Sequence, residues 1–247
     1  MNNNTYVLIF ILIMTATVAI LLTGLREATK EGAARNEDIF NKRAILSAIE
    51  TKLDKPVKQM TDEDVVNIFQ SDMEQRVLDM DGNVVEDKQA DEIDMAVERK
   101  KPEADRLLPL YIYQGEDGSE TYILSVRGNG LWDEIWGNIA LESDLNTIAG
   151  AAFDHKGETP GLGAEIKDNP KFSEQFKGKQ IYDGGDYVSV DVVKGGAKPG
   201  NEHGVDGISG ATVTADGVAE MLYRGIKYYE PYLSKIKQSS MLMEPAQ

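Results

Sequence analysis

Cysteine is absent from this sequence of 247 residues, and histidine occurs only twice. Without thiols the chain has no disulfide bond, no thiolate nucleophile and no iron–sulfur or zinc site ligated by its own cysteines. The two histidines, His155 and His203, are too few for a histidine-rich metal site. The residues therefore predict no metal site in this chain.

Basic residues are also scarce, because Lys and Arg total 26 against 42 Asp and Glu, for a formal net charge of -16. Nucleic-acid partners need clusters of Lys and Arg to meet the phosphate backbone. We therefore exclude nucleic acid as a partner. The acidic residues are interpreted as a solvated surface that repels itself, with the concentration of cations near a membrane as the alternative.

Charge is missing altogether between Tyr6 and Leu25, which bound one apolar run near the N-terminus. At about 1.5 Å per residue, such a run spans the roughly 30 Å hydrocarbon core of a bilayer. A cleaved signal peptide is the alternative, but signal peptides usually begin with a basic region and have a shorter apolar stretch. We interpret residues 1–28 as a retained, single-pass transmembrane anchor.

The basic side chains nearest this anchor all follow it, and none precedes it; they are Arg26, Lys30, Arg35, Lys42 and Arg43. By the positive-inside rule, this asymmetry places the rest of the chain in the cytoplasm.

Residues 29–106 read as a helical and charged preface to the soluble part. Helix is predicted from residue 26 to about residue 50, and a second helix begins near Thr61, which forms a capping box with Asp64. A small hairpin is predicted around residues 81–83, where the chain reads Asp-Gly-Asn. Residues 86–106 are strongly charged and are expected to form a surface connection.

Residues 107–238 have the pattern of one α+β domain with a twisted, mostly antiparallel sheet and packed helices. Strands are predicted over residues 107–113, 121–126, 135–141, 147–153 and 187–193. A helix follows, with apolar residues at steps of three and four from Val218 to Ile236, and Pro231 is expected to kink or end it. Residues 239–247 are left as a C-terminal tail.

A string of chemical interest stands just before that helix, where residues 206–214 read DGISGATVT. Ser209 or Thr212 can cap a helix, and the glycines permit a ligand to approach the backbone closely. Free N–H groups at such a helix start, together with the helix dipole, favour an anionic phosphate. An ordinary capped turn is the alternative interpretation.

Residues 206–212 resemble the flavinylation motif of two related families, the C subunit of the sodium-translocating NADH:quinone oxidoreductase and the G subunit of the ferredoxin:NAD oxidoreductase. In both, a flavin transferase moves FMN from FAD onto the threonine that ends the motif. The resemblance implies that Thr212 carries FMN as a phosphoester and that Asp206 serves transferase recognition. The cofactor contacts implied next to this threonine are Ser209, Gly210 and Ala211. Thr214 lies outside the matching position and ranks second as the attachment site.

A second resemblance lies in residues 155–163, HKGETPGLG, which on local grounds alone form a turn. In these families the segment resembles the loop that packs around the flavin. It implies polar or backbone contacts from Thr159 and Gly161, an apolar contact between Leu162 and the isoalloxazine ring, and a role for Glu158 in orienting the loop. Lys194 falls at a family position where a cation stabilises the anionic reduced ring, with an ordinary exposed lysine as the alternative.

A third segment, GNGLW over residues 128–132 followed by Trp136 and Gly137, resembles the C subunit more than the G subunit. The resemblance to the C subunit implies that this chain is an FMN-bearing electron relay without catalytic residues of its own. The complex to which it would belong oxidises NADH, reduces a quinone and pumps Na⁺ outward. The implied partners are the A, B, D, E and F subunits and, during maturation, the flavin transferase. The family also implies a bacterial inner-membrane protein with a periplasmic soluble domain, opposite to the charge asymmetry. The alternatives are the G subunit and a membrane-anchored binding protein without redox chemistry.

Overall fold

The structure, a computed structural model, describes the backbone of residues 3–243 and the side chains of residues 4–239. Its six α-helices within that range are α1 Asn3–Ser47, α2 Asp62–Ser71, α3 Met95–Glu98, α4 Glu165–Asp168, α5 Pro170–Glu174 and α6 Thr212–Met243. The strands are β1 Met73–Leu78, β2 Leu108–Gln114, β3 Glu120–Asn129, β4 Glu134–Leu141, β5 Ile148–His155, β6 Tyr182–Asp183, β7 Asp186–Tyr187, β8 Asp191–Val193 and β9 Gly204–Asp206.

The chain separates into two units, one up to Asn41 and one from Lys42 onward. In the first unit, α1 presents an apolar stretch that is long enough to cross a membrane, and none of that stretch is buried. The hydroxyl of Thr17 donates to the carbonyl of Ile13 at 2.8 Å. Its polar group is thereby satisfied within the helix, as a hydrocarbon environment requires.

The second unit is built on a five-stranded antiparallel sheet in the order β1-β2-β3-β4-β5. Each strand pairs with the next along the chain, and β3 and β4 pair over the longest stretch, from Tyr122 opposite Leu141 to Asn129 opposite Glu134. Two small pairs stand apart from this sheet: β6 with β7, antiparallel, and β8 with β9, parallel. The prediction of a mostly antiparallel α+β domain is confirmed.

Apolar side chains cover both faces of this sheet, as the alternation along β2 illustrates. Leu110 and Ile112 belong to the cluster that includes the buried stripe of α6, whereas Tyr111 and Tyr113 belong to a second cluster. That second cluster contains residues from the end of α1, from α2 and from β1. The prediction of a buried stripe on the C-terminal helix is confirmed by residues that are at most 2% exposed: Val218, Met221, Leu222, Ile226, Tyr229 and Leu233.

The preface contributes more than helices, because β1 lies within residues 29–106 and pairs with β2. The predicted capping box is confirmed at the start of α2, where Thr61 accepts from the backbone N–H of Asp64 and the Asp64 carboxylate accepts from that of Thr61. The predicted hairpin at residues 81–83 is also present, since the backbone N–H of Asp79 donates to the carbonyl of Asn83. The division of the chain at residue 106 stays a prediction.

Two predictions for the C-terminal half need correction. The strand predicted over residues 187–193 is interrupted, because residues 188–190 between β7 and β8 are not in a strand and Ser189 has a positive φ of 63°. Of the two outcomes expected at Pro231, a kink in the helix or its end, the second is wrong, since α6 continues to Met243. Residues 239–243 of the predicted tail therefore lie in α6, and residues 244–247 lie outside the described range.

Candidate functional site

The start of α6 contains the DGISGATVT string found in the sequence. The chain turns at Gly210, which has a φ of +83°, a conformation that side chains with a Cβ disfavour. The backbone N–H of Ala215 donates to the carbonyl of Ala211 at 2.9 Å. The preceding N–H groups of residues 212–214 belong to the first turn, where an α-helix has no acceptor of its own to offer. This end of the helix is therefore suited to an anion such as a phosphate.

Two threonine hydroxyls lie at this helix start, and their surroundings differ. Thr214 is fully buried, and its hydroxyl donates to Oε2 of Glu158 at 2.7 Å. Thr212 is only partly buried and borders the exposed residues Gly210 and Val213. A large group can therefore be attached at Thr212 without disrupting the core, whereas Thr214 serves the packing of the helix.

The loop of residues 159–163 lies directly beside this turn. A Cβ placed on Gly210 would come 3.0 Å from the carbonyl oxygen of Gly161, so the two segments touch through their backbones. The carboxylate of Glu165 accepts from the N–H groups of Gly161 and Gly163 and fixes the shape of the loop. Leu162 is 42% exposed, and Thr159 is also exposed. The structure thus brings the predicted loop residues next to the predicted attachment turn.

A third segment, the connection between β3 and β4, is linked to the start of α6, because Glu158 accepts hydrogen bonds from the backbone N–H groups of Leu131 and Trp132 and from the Thr214 hydroxyl. It exposes Leu131 and Trp132, and Trp132 is 65% exposed. Large apolar side chains left in solvent on neighbouring segments are typical of surfaces that bind a ligand or a partner. Together with Leu162 and Val213, these side chains form what we call the apolar rim: Leu131, Trp132, Leu162 and Val213.

Glu158 joins these segments from below the surface. It is only 5% exposed, and its carboxylate accepts from the backbone N–H groups of Leu131, Trp132 and Asp133 and from the hydroxyl of Thr214. Burial raises the pKa of Glu158, but the four hydrogen bonds together outweigh burial, so the pKa lies below its ordinary value. The sequence indicated only that Glu158 orients its own loop. Its link to Thr214 joins residues 56 positions apart, which no local pattern reveals.

Acid should therefore weaken the stabilisation that the Glu158 carboxylate gives to the fold. A carboxyl group whose pKa is lowered by folding stabilises the fold above its unfolded pKa, about 4.3 for glutamate, and this stabilisation is lost as the pH falls through the folded value. We expect the difference in free energy of unfolding between the wild type and Glu158→Gln to be largest near pH 7. The difference should shrink below about pH 4, because a protonated carboxyl and an amide each offer a donor. Urea unfolding at a series of pH values measures it, and a constant difference from pH 7 to pH 3 would contradict the prediction.

Asp206 and Lys194 lie at the beginning of the motif. Asp206 ends β9, and one of its carboxylate oxygens accepts from the N–H of Ala197 at 2.7 Å. A Cβ on Gly207 would lie 3.5 Å from the Cα of Lys194, so the Lys194 backbone adjoins the motif while its side chain is exposed. Within the described part of the chain, no hydrogen bond joins Lys194 to residues 209–212. The loop therefore meets the motif at Gly210, through Gly161, whereas Lys194 meets it at Gly207.

These residues fit a cofactor that combines a phosphate with an aromatic ring. The helix start supplies N–H donors, the glycine turn leaves room for a close approach, Thr212 offers a hydroxyl, and the apolar rim offers contacts for a ring. The chain also matches the FMN-binding domain family over residues 130–227, which include every segment of this site. The fold and the site therefore define the class of this protein as FMN-binding.

The relatives of this chain identify the family more closely. The C subunit of the Na(+)-translocating NADH-quinone reductase from Pseudomonas aeruginosa is 31% identical over 259 residues, covering 96% of this chain and 97% of that protein. The corresponding subunit from Neisseria meningitidis is 34% identical over 92% of this chain and 91% of its own length. The chain therefore belongs to the family of the C subunit of the Na(+)-translocating NADH-quinone reductase.

Other matches agree in part of the chain and in the fold. The C subunit from Vibrio vulnificus is 41% identical over 134 residues, so the match spans about half of each chain, 53% of this one and 52% of that protein. The crystal structure of the C subunit from Parabacteroides distasonis has a TM-score of 0.73 and 35% identity, covering 83% of this chain and 96% of its own. The NqrC structure from Shewanella oneidensis has a TM-score of 0.70 and 28% identity, covering 83% of this chain and 98% of its own.

Proposed function

We propose that this chain carries FMN as a phosphoester on Thr212 and relays electrons within a membrane complex that oxidises NADH, reduces a quinone and moves Na⁺ outward. The observation that carries the proposal is the contrast at the start of α6. Thr212 is partly exposed beside a glycine turn and the apolar rim, whereas Thr214 is buried and bonded to Glu158. The relatives bear the names of such a reductase subunit.

Attachment requires a phosphoryl transfer onto the Thr212 hydroxyl. In the reaction proposed, the Thr212 oxygen bonds to the phosphorus of the FMN half of FAD, the bond from that phosphorus to AMP breaks, and the hydroxyl proton is released. The product phosphodiester keeps one negative charge, which the N-terminus of α6 favours. A dedicated flavin transferase catalyses the step, and Asp206 takes part in its recognition of the motif.

The residues around Thr212 have separate roles in holding the cofactor. Ser209 and Gly210 are exposed and would hold the phosphate end, and the buried Ala211 would contribute through its backbone. Thr159 and Gly161 would supply polar and backbone contacts, and Leu162 would offer an apolar surface to the ring. Lys194 would supply a cation to stabilise the reduced ring. When bound, FMN supplies electron transfer, and the protein supplies its position and surroundings.

The remaining steps of the reaction belong to other subunits. This chain has no cysteine to ligate an iron–sulfur cluster, and its sequence has no dinucleotide-binding fingerprint for NADH. Its proposed partners are the A, B, D, E and F subunits. The chain is anchored by α1 in the bacterial inner membrane with the second unit in the periplasm. The basic residues after the anchor favour the opposite orientation, but the signal from one unpaired anchor is modest.

Co-expression with a flavin transferase tests the proposal against a binding protein without redox chemistry. We expect the denatured chain to be fluorescent in a gel when the transferase is present and dark when it is absent. A dark band under both conditions would overturn the proposal. A ferredoxin-linked complex is the second candidate, and the cognate electron donor of the purified complex distinguishes it: NADH reduces the flavin in the proposed complex.

A further inference from the structure

The carboxylate of Glu158 is the point where the three segments of the site meet. Oε1 accepts from the N–H of Trp132 at 2.9 Å, and Oε2 accepts from the N–H of Leu131 at 3.2 Å and from the Thr214 hydroxyl at 2.7 Å. The Thr214 hydroxyl is also 3.3 Å from the carbonyl of Leu162. The backbone N–H of Glu158 donates to Nδ1 of His155 at 3.1 Å. The apolar rim and the start of α6 are therefore connected through one buried side chain.

Two glycines enclose this carboxylate tightly. A Cβ placed on Gly130 would come 2.5 Å from Oε1, and one placed on Gly163 would come 2.6 Å from Oε2. Both positions are closer than real Cβ contacts permit, so any larger residue would displace the carboxylate. The backbone approaches Glu158 from two sides, and the carboxylate has little freedom to move.

All the groups bonded to this carboxylate act as donors. A carboxylate offers acceptors on both oxygens, whereas an amide of the same shape replaces one acceptor with a donor. In a Glu158→Gln variant the Thr214 hydroxyl can rotate to accept, but a backbone N–H cannot. One N–H group of the β3–β4 connection would then face another donor or lose its partner, which is costly for a buried group.

We propose that Glu158 is the positioning residue of the flavin site: it fixes Trp132 and the start of α6 relative to each other, and its charge lowers the reduction potential of the flavin carried there. The second part rests on the proposed function, whereas the first concerns the protein alone. Glu158 does not act as a catalytic residue, since it reaches the site through Thr214 and the β3–β4 connection.

The effect on potential follows from electrostatics. Reduction adds electrons, supplied in a titration by an external reductant, and increases the negative charge of the ring. A fixed carboxylate under the site disfavours that added charge, and its influence is large because burial limits screening. Neutralising Glu158 should therefore make the flavin easier to reduce.

The positioning of Trp132 by Glu158 is tested on the full chain without flavin. Trp132 and Trp136 are its two tryptophans, so Trp136→Phe leaves Trp132 as the single reporter. In that background we expect Glu158→Gln and Thr214→Val to increase local rotation of the Trp132 indole at least twofold in time-resolved anisotropy. Thr214→Ser keeps the hydroxyl and should restore the wild-type value. Glu98→Gln is the matched control, because Glu98 is also buried, at 6% exposure, and accepts from the backbone N–H of Leu107.

The effect of the Glu158 charge on the reduction potential is tested on the flavin-loaded chain. At a fixed ambient potential we expect the ratio of reduced to oxidised flavin to rise about tenfold in Glu158→Gln, which corresponds to about 30 mV for a two-electron couple. Glu98→Gln should leave the ratio within twofold. Unchanged Trp132 rotation in both Glu158→Gln and Thr214→Val, or an unchanged flavin ratio in loaded Glu158→Gln, overturns the proposal. Absence of flavin from the wild type would instead refute the proposed function and leave the anisotropy result to decide the positioning.

Discussion

Replacing Thr212 with alanine is expected to abolish covalent attachment of FMN completely. The substitution removes the oxygen on which the phosphoester is formed, and the neighbouring hydroxyl of Thr214 cannot replace it. That hydroxyl is buried and donates to Glu158. Fold stability should change little, because Thr212 is only partly buried. Flavin fluorescence of the denatured band, measured after co-expression with the transferase, should fall to background.

Thr214→Ser is the matched control for this experiment. It retains the hydroxyl that binds Glu158, so the flavin signal of the band should equal that of the wild type. Retained fluorescence in Thr212→Ala together with loss in Thr214→Val, which removes the second hydroxyl, would move the attachment to Thr214. Such a result would also mean that the first turn of α6 opens during maturation.

Replacing Tyr229 with alanine is expected to cause the largest loss of stability among the substitutions considered. Tyr229 is fully buried in the middle of α6, where its ring packs in the core between the helix and the sheet. Its hydroxyl lies 2.8 Å from the carbonyl of Pro109 and 2.9 Å from that of Ser125, on two adjacent strands. Removing a buried aromatic ring costs about 3–5 kcal/mol through lost transfer energy and the cavity left behind.

Urea unfolding of the detergent-solubilised chain, followed by tryptophan fluorescence, measures this loss. Tyr229→Phe separates the ring from the hydroxyl, and it should cost only about 1 kcal/mol, the net value of a typical hydrogen bond. Both variants should shift the midpoint without changing the slope. A cost for Tyr229→Ala no larger than that for Tyr229→Phe would contradict the packing described for α6.

The parts of the fold that follow from local rules were predictable from the sequence. The capping box at Thr61 and Asp64 needs only residues three positions apart, and the structure contains it. The buried stripe of α6 repeats at helical spacing, and the hairpins between β2 and β5 are short connections between consecutive strands. In each case the signal and the structure it produces lie within one stretch of chain.

The parts that depend on distant residues were missed. The strand β1 has no strong alternation, and only pairing with β2 makes it part of the sheet. Ser189 adopts a positive φ that its residue type does not favour, so the interruption between β7 and β8 is set by tertiary contacts. Pro231 lies inside α6 although prolines usually end helices, and the hairpin glycine Gly82 packs against its backbone.

The candidate site shows the same division. The DGISGATVT string and the TPGLG loop were recognisable as motifs, and the structure places them side by side through Gly210 and Gly161. The buried link between Glu158 and Thr214 was not recognisable, because neither residue belongs to a local pattern that requires the other. That link distinguishes Thr212 from Thr214 as the attachment site. From the sequence, the two threonines could be ranked only by their positions in the motif.

The hydroxyl of Thr212 is the atom on which the proposed function depends most, because it bears the FMN phosphodiester in that proposal. Peptide mapping by mass spectrometry, on wild-type chain purified from the assembled complex, tests this most directly. We expect a peptide heavier by one FMN less one water, with fragment ions that assign the added mass to Thr212. An unmodified Thr212 in protein whose flavin is present elsewhere, or is released on denaturation, would contradict it.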